Sequence, residues 1–364
     1  MHRCILAALS SALLAETLLA APTASSCTAT DYSQVSAVVA SCTEIILDNI
    51  SVPAGSQLDL TKVNPSTTVT FAGTTTFGFK AWKSPLILIG GTDFHITAAS
   101  GAVIDGNGAA WWDGKGDNGV EKPNHFIQVK AAGTHSLIEN LVIKNYPAHC
   151  FTLGGSNLVV KNVKLDNLAG EAPNKLSGGA PAAHNTDGFN VKATNVLLQD
   201  ITVINQDDCV AVSSGSSNVT VRNASCDGSH GLSIGSVGSD TTIKDIFFYD
   251  STVKNGENGV RIKTVSGATA SVVQNIVFQN ITLSNLSKYG IDVQQDYLNG
   301  GPTGNATNGV KVQDVTFKNV TGTVTSKAKD YYILCGSGSC SNITFSGVKV
   351  TGGTEDSCNF GKLC

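Results

Sequence analysis

The stretches NTDGFNV (185–191) and NQDDCVAV (205–212) have one shape. Each sets an acidic residue before a small residue and an apolar–x–apolar strand. Asp187 and Asp208 stand 21 residues apart at the same point of that pattern, and Asp207 adds a third carboxylate. The column continues in both directions, through HCFTL (149–153), HGLSI (230–234), NGVRI (258–262) and YGIDV (289–293). Its third and fifth positions are always apolar, which is the strand period with one face turned inward. The column advances by 38, 21, 22, 28 and 31 residues.

A second repeat runs through the chain. NLVIKN (140–145), NVKLDN (162–167), DITVIN (200–205), NITLSN (280–285) and DVTFKN (314–319) each place alternating apolar residues between Asn or Asp. That is a strand between two turns, because Asn and Asp tolerate turn conformations. A unit near 22 residues with about three short strands suits one coil of a parallel β-helix. A propeller blade needs roughly 40–50 residues and antiparallel hairpins. A sandwich would not hold one column in register through so many units. The fold class expected is therefore all-β, a parallel β-helix. SQVSAVVASC (33–42) reads as a short amphipathic helix that caps the open first coil.

Composition agrees with short strands and many turns: 14% charged residues and 38 glycines in 364 residues. A net charge of −4 offers no general attraction to nucleic acid or any other polyanion, so an acidic substrate would need local cations. Residues 1–26, MHRCILAALSSALLAETLLAAPTASS, read as a secretory signal with room for a short propeptide. That run is too short to span a bilayer, and no later segment is long and apolar enough. Residues 27–364 read as one domain. The chain is expected to be extracellular, with no membrane and no nucleic-acid partner.

Ten cysteines fit an oxidising compartment. Cys4 leaves with the signal. Cys27/Cys42, Cys335/Cys340 and Cys358/Cys364 are close pairs, Cys209/Cys226 are a plausible fourth, and Cys150 is left over as a buried thiol. CGSGSC lacks a partner pair, so zinc is a poor alternative. Sequons begin at Asn49, Asn218, Asn223, Asn280, Asn285, Asn305, Asn319 and Asn342.

In a β-helix, equivalent residues stack about 4.8 Å apart. Asp187, Asp208 and His230 then fall on successive coils, with Asp207 beside them. Crowded carboxylates raise at least one pKa, giving an acid and a base side by side, as glycosidic cleavage requires. A lone Asp in such a column is most often structural; three are costly and not needed for folding. Calcium is the rival use of such a cluster. Arg261 and Lys263 alternate with inward Val260 and Ile262, so both face the acid cluster two coils on. Such a pair suits a sugar that carries a carboxylate. Tyr289 could pack on a sugar ring. His125, His149 and His184 read as structural. The Gly-, Pro- and Ala-rich segment 169–184 reads as a loop walling a cleft.

With NTD at 185–187, QDD at 206–208, SHGLSIGS at 229–236, RIK at 261–263 and Tyr289, the chain resembles the polygalacturonases, glycoside hydrolase family 28. It is most similar to the compact secreted endo-acting fungal type, across the whole mature chain. Ser229 stands where the family typically has Gly. The resemblance implies a right-handed parallel β-helix and metal-free, cofactor-free inverting hydrolysis of α-1,4-linked galacturonate in pectin. It implies Asp207 as general acid, Asp187 and Asp208 as holders of the attacking water, and His230 as support for the acid. Arg261 and Lys263 would grip substrate carboxylates, Tyr289 would shape the subsite beside the scissile bond, and Asn185 would line the cleft. A monomer is expected, with a proteinaceous inhibitor as a further candidate partner. An exo-acting relative, a calcium-dependent pectate lyase and a non-catalytic pectin-binding β-helix are the alternatives. QDD with RIK does not suggest a lyase, and a binding-only descendant would be expected to lose an acid.

Overall fold

The computed structural model describes residues 27–299, 301–361 and 363–364. The expected secretory signal lies outside the described residues, and so does Cys4. Strands dominate, and the chain winds as a parallel β-helix. Strand pairing among the described residues is parallel apart from one short return, Tyr297–Leu298 against Gly301–Pro302.

The register follows the repeat column. Ile127, Phe151, Phe189, Val210, Leu232, Val260, Ile291 and Tyr331 are paired in sequence from coil to coil. All point inward and are buried. Because parallel coils repeat in register, like side chains stack. Phe248, Phe278, Phe317 and Phe345 form a run of near-parallel rings with centroids 4.8, 5.3 and 5.3 Å apart. Offset stacking of this kind adds to the area each ring buries.

The second repeat closes each coil. Asn162, Asp200, Asn223, Asp250, Asn280 and Asn319 hold φ between 51° and 57°, the left-handed region that short polar side chains tolerate. Their side chains bond down the stack: Asn223 Nδ2 donates to Asp200 Oδ1 at 2.6 Å, and Asn280 Nδ2 to Asp250 Oδ1 at 2.8 Å. The residue type thus satisfies both the turn and the ladder.

The helix spans Tyr32–Ser41, one residue earlier than the sequence suggests. Asp31 is its N-cap: its side chain accepts from Ser33 N, and Gln34 Oε1 accepts from Asp31 N, a reciprocal capping box. Val35, Val38 and Val39 bury one stripe on the first coil. The Cys27–Cys42 disulfide joins the residues flanking this helix, 15 positions apart, and such a loop contributes about 3 kcal/mol in the chain-entropy view. Disulfides Cys209–Cys226, Cys335–Cys340 and Cys358–Cys364 are also formed, and Cys150 is a buried free thiol. No helix among the described residues is long and apolar enough to cross a membrane.

Phe278 sits inside the ring stack with no exposed surface. Phe278→Ala is expected to lower the unfolding free energy by about 3–5 kcal/mol, through reduced burial and a cavity between rigid coils. Guanidinium unfolding of both proteins checks this; a drop of under about 1 kcal/mol would mean the coils can collapse onto the gap.

Candidate active site

Two residues before each inward residue of the column stand His125, His149, Asp187, Asp208 and His230, on five successive coils. They open onto a cleft of about 760 Å³ that Asp207, Arg261 and Lys263 also line. One oxygen from each of Asp187, Asp207 and Asp208 lies within 4.8 Å of the others. The segment 169–184 folds over one wall. Its Asn174 Nδ2 donates to the carbonyl of Trp112 at 2.9 Å, which ties it to the loop that brings Asp117 to the cleft.

Buried amides hold the acid-bearing turns. Asn205 Nδ2 lies 2.7 Å from the Thr186 carbonyl and 3.0 Å from those of Asp207 and Asp208. One side chain therefore fixes both turns. Gln206 adds a second tie: its Oε1 accepts from Thr186 Oγ1 at 2.8 Å, and Thr186 Oγ1 accepts from Gln206 N at 2.8 Å. Rigid turns of this kind let three carboxylates be held together against their repulsion.

Cations from neighbouring coils offset that repulsion. Lys263 Nζ donates to Asp208 Oδ2 at 2.7 Å, Ser233 Oγ donates to Asp208 Oδ1 at 2.6 Å, and Arg261 NH1 lies 3.8 Å from the same Oδ1. Both oxygens of Asp208 are thus occupied. Asp207 is bracketed by His230, whose Nδ1 lies 3.2 Å from its Oδ1, and by Asn185, whose Nδ2 donates to its Oδ2 at 3.1 Å. Burial alone would push the Asp207 carboxyl up. The His230 charge and contact, with Lys263, outweigh burial and hold it below its ordinary value. Burial opposes charge on His230 as well, but Asp207 raises it to about 9. The pair therefore keeps one proton through the neutral range.

Asp187 goes the other way. Burial pushes it up, and Asp207 and Asp208 add to this; the charge of His149 only partly offsets them. His149 Nδ1 lies 2.9 Å from Asp187 Oδ1, and its Nε2 lies 3.3 Å from Asp117 Oδ2. Burial opposes charge on His149, but these two carboxylates raise it well above its ordinary value.

Most of the residues named from sequence meet here. Asp187, Asp207, Asp208, His230, Asn185, Arg261 and Lys263 all line the cleft. Tyr289 does not. It is buried, stacked on Tyr332 at 4.7 Å and covered by Lys288. The reason is local: on the preceding coil the column residue is Asn258, fully buried, so the column has closed inward by that point. The tyrosine at the cleft is Tyr297, whose ring lies 5.4 Å from Lys263 Nζ and 5.8 Å from the Arg261 guanidinium. The structural reading of His149 also needs correction, since it contacts Asp187 directly, and His125 and His184 reach the cleft too. Ser229 lies outside the left-handed residues and its Oγ accepts from Gly231 N at 3.2 Å, so it sits without strain where Gly is usual. The column repeat could have flagged His149, which stands at the Asp187 position one coil earlier. Asn205, Gln206 and Tyr297 carry no such signal.

The three carboxylates could hold a cation by their spacing. A metal there would face the Lys263 ammonium, which already occupies Asp208, and the charged His230 on Asp207. That donor set is filled by protein cations and suits a metal poorly.

Residues 42–362 match the family model described as Glycosyl hydrolases family 28. The polygalacturonase of Fusarium fujikuroi is 52% identical over 343 residues, covering 92% of this chain and 91% of that protein. A probable endopolygalacturonase D of Neosartorya fischeri is 54% identical over 340 residues, 92% of this chain and 71% of that protein. Endopolygalacturonase I from Stereum purpureum, solved in complex with two galacturonate, superposes with a TM-score of 0.81 at 32% identity, over 92% of this chain and 96% of that one. A fold of stacked parallel coils, a cleft lined by three clustered aspartates and relatives of this kind lead to one conclusion: the chain belongs to glycosyl hydrolase family 28.

Proposed function

We propose that this protein is a secreted, endo-acting polygalacturonase that hydrolyses α-1,4-galacturonosidic bonds of de-esterified pectin. The observation that carries this reading is the charge pattern of the cleft. An acid cluster within 4.8 Å lies directly beside Lys263 and Arg261, so acid–base groups and carboxylate-binding groups share one groove. The relatives named polygalacturonase, and the neighbour solved with galacturonate, support the same substrate. Four disulfides support an oxidising, extracellular setting. An open groove suits a monomer that admits a long chain, and a proteinaceous inhibitor would have to cover that groove.

In this reading Asp207 protonates the leaving oxygen, drawing on the proton it shares with His230. Asp208 and Asp187 hold and deprotonate the water. The oxygens of the cluster stand closer than the roughly 6.5–9.5 Å usual for an inverting carboxyl pair. Spacing alone would therefore favour retention. Occupancy argues otherwise. Asp208 has one oxygen committed to Ser233 and the other to Lys263, and Asp187 Oδ1 lies 2.9 Å from His149 Nδ1, so both carboxylates are held in place as acceptors for a water rather than free to bond the sugar carbon. Inversion follows. Arg261 and Lys263 are the substrate-carboxylate contacts, Asn185 orients Asp207, and Tyr297 takes the ring-packing role that Tyr289 cannot.

Rapid reducing-end release from polygalacturonate in EDTA at mildly acid pH is expected, without the ultraviolet absorbance of an unsaturated product. Chelator-sensitive release with that absorbance would instead indicate a calcium lyase. Proton NMR of the first product should show the β-anomer from the α-linkage; an α-anomer would assign Asp187 or Asp208 as a nucleophile. Asp207→Asn is expected to lower kcat by about 10²–10⁴-fold while oligogalacturonate binding persists. Wild-type turnover in that variant would remove Asp207 from the acid role.

A further inference from the structure

Arg261 is held from behind by a group that the cleft chemistry leaves unused. Its strand, Asn258–Val265, pairs with Tyr289–Leu298, and Arg261 stands opposite Asp292 in the register. Asp292 has no exposed surface. Arg261 Nε lies 3.3 Å from Asp292 Oδ2, yet off the hydrogen-bond direction, and neither carboxyl oxygen has a hydrogen-bond partner. The other end of the guanidinium faces the reaction. NH1 lies 3.8 Å from Asp208 Oδ1, NH2 donates to Gln294 Oε1 at 3.4 Å, and the Tyr297 ring lies over the group.

A buried carboxylate without donors is expensive, so such a group keeps its proton. The groups around Asp292 set the balance. Arg261 and Lys263 face it from the preceding coil and Lys288 from the start of its own strand. Asp296 and Tyr289 lie on the same strand, and Tyr332 on the following coil donates to Asp296 Oδ2 at 3.2 Å. Burial outweighs the three cations and raises Asp292 to about 7. Below that pH the carboxyl is neutral and Arg261 keeps its full charge for the cleft, since Lys263 already serves Asp208. Above it, an anion sits 3.3 Å behind Arg261.

We propose that Asp292 is a positioning residue for Arg261 and a switch of how far its charge is available to the cleft: protonated, it leaves the guanidinium free to hold a galacturonate carboxylate; ionised, it pairs with the guanidinium and weakens that hold. This rests on the reading of the cleft as a polygalacturonate site. It makes substrate binding fall off towards alkaline pH for a reason separate from the acid–base chemistry, which works through Asp207 and His230.

The test is KM and kcat of the whole enzyme on de-esterified polygalacturonate at fixed ionic strength, across the range that brackets about pH 7. The substrate carboxylates titrate well below that range, near the ordinary carboxylate value. In the wild type KM is expected to rise roughly tenfold across the range, which is the worth of a single charge-assisted hydrogen bond to the substrate. Asp292→Asn should abolish that rise in KM. A flat KM in the wild type, or the same rise in Asp292→Asn, overturns the proposal. Asp292→Val gives the same reading should the buried amide prevent folding, because it removes the titration and introduces no new polar group. Calorimetric binding of trigalacturonate to wild type and variant at the two ends of the range distinguishes the switch from the hydrolase reading beneath it. An enzyme that releases no reducing ends yet loses trigalacturonate affinity with pH only when Asp292 is present would retain the switch and refute the hydrolase reading.

Discussion

In-register parallel stacking governs this molecule. Once one coil lies on the next, equivalent residues are brought to about 4.8 Å of each other, whatever their charge. In the core this is favourable, and apolar residues and aromatic rings pile into continuous ridges. At the turns it becomes favourable because Asn and Asp can pass a hydrogen bond down the stack. At the cleft the same rule stacks Asp187 on Asp208 with Asp207 beside them, and there no ladder bond offsets the repulsion. The offset comes from other coils. Ser233 approaches from the next coil, and Lys263 and Arg261 from the one beyond, each reaching back to Asp208. The cations proposed to bind substrate are thus also the groups that offset the charge of the acid cluster.

The coil column, its inward face, the disulfide partners and the acid cluster are legible in the sequence, because each depends on a repeat or a close spacing. Phe151, Phe189, Val210, Leu232, Val260 and Ile291 align in the structure as they do in the repeat. What stays hidden depends on side-chain direction where the repeat breaks. Tyr289 shares the column of the aspartates, but the column turns into the core at Asn258 before reaching it. Tyr297 enters the cleft because the strand pairing shifts between Lys263 and Val265, setting Val265 opposite Tyr297. Nothing in an alternating apolar pattern announces such a shift. In sequence Asn205 and Gln206 are merely the flank of an acidic motif, whereas their amides are the buried struts of the acid-bearing turns. Asp292 looks like any polar residue of an alternating strand; only burial without donors distinguishes it.

A net-negative protein that holds a polyanion needs a local reversal of sign, and the cleft shows how this arises. Five carboxylates line it, from Asp117, Asp187, Asp207, Asp208 and Glu257, against four side chains of Lys or Arg. By formal count the groove would repel pectin. The titrations reverse that count. Asp117 and Asp187 hold His149 charged, and Asp207 holds His230 charged. Cations then outnumber anions in the groove while the whole chain carries −4. The clustered carboxylates thus recruit two imidazolium ions, one on each flank. Both the proton store and the attraction for an acidic sugar chain come from the same crowding of aspartates that the stacked coils impose.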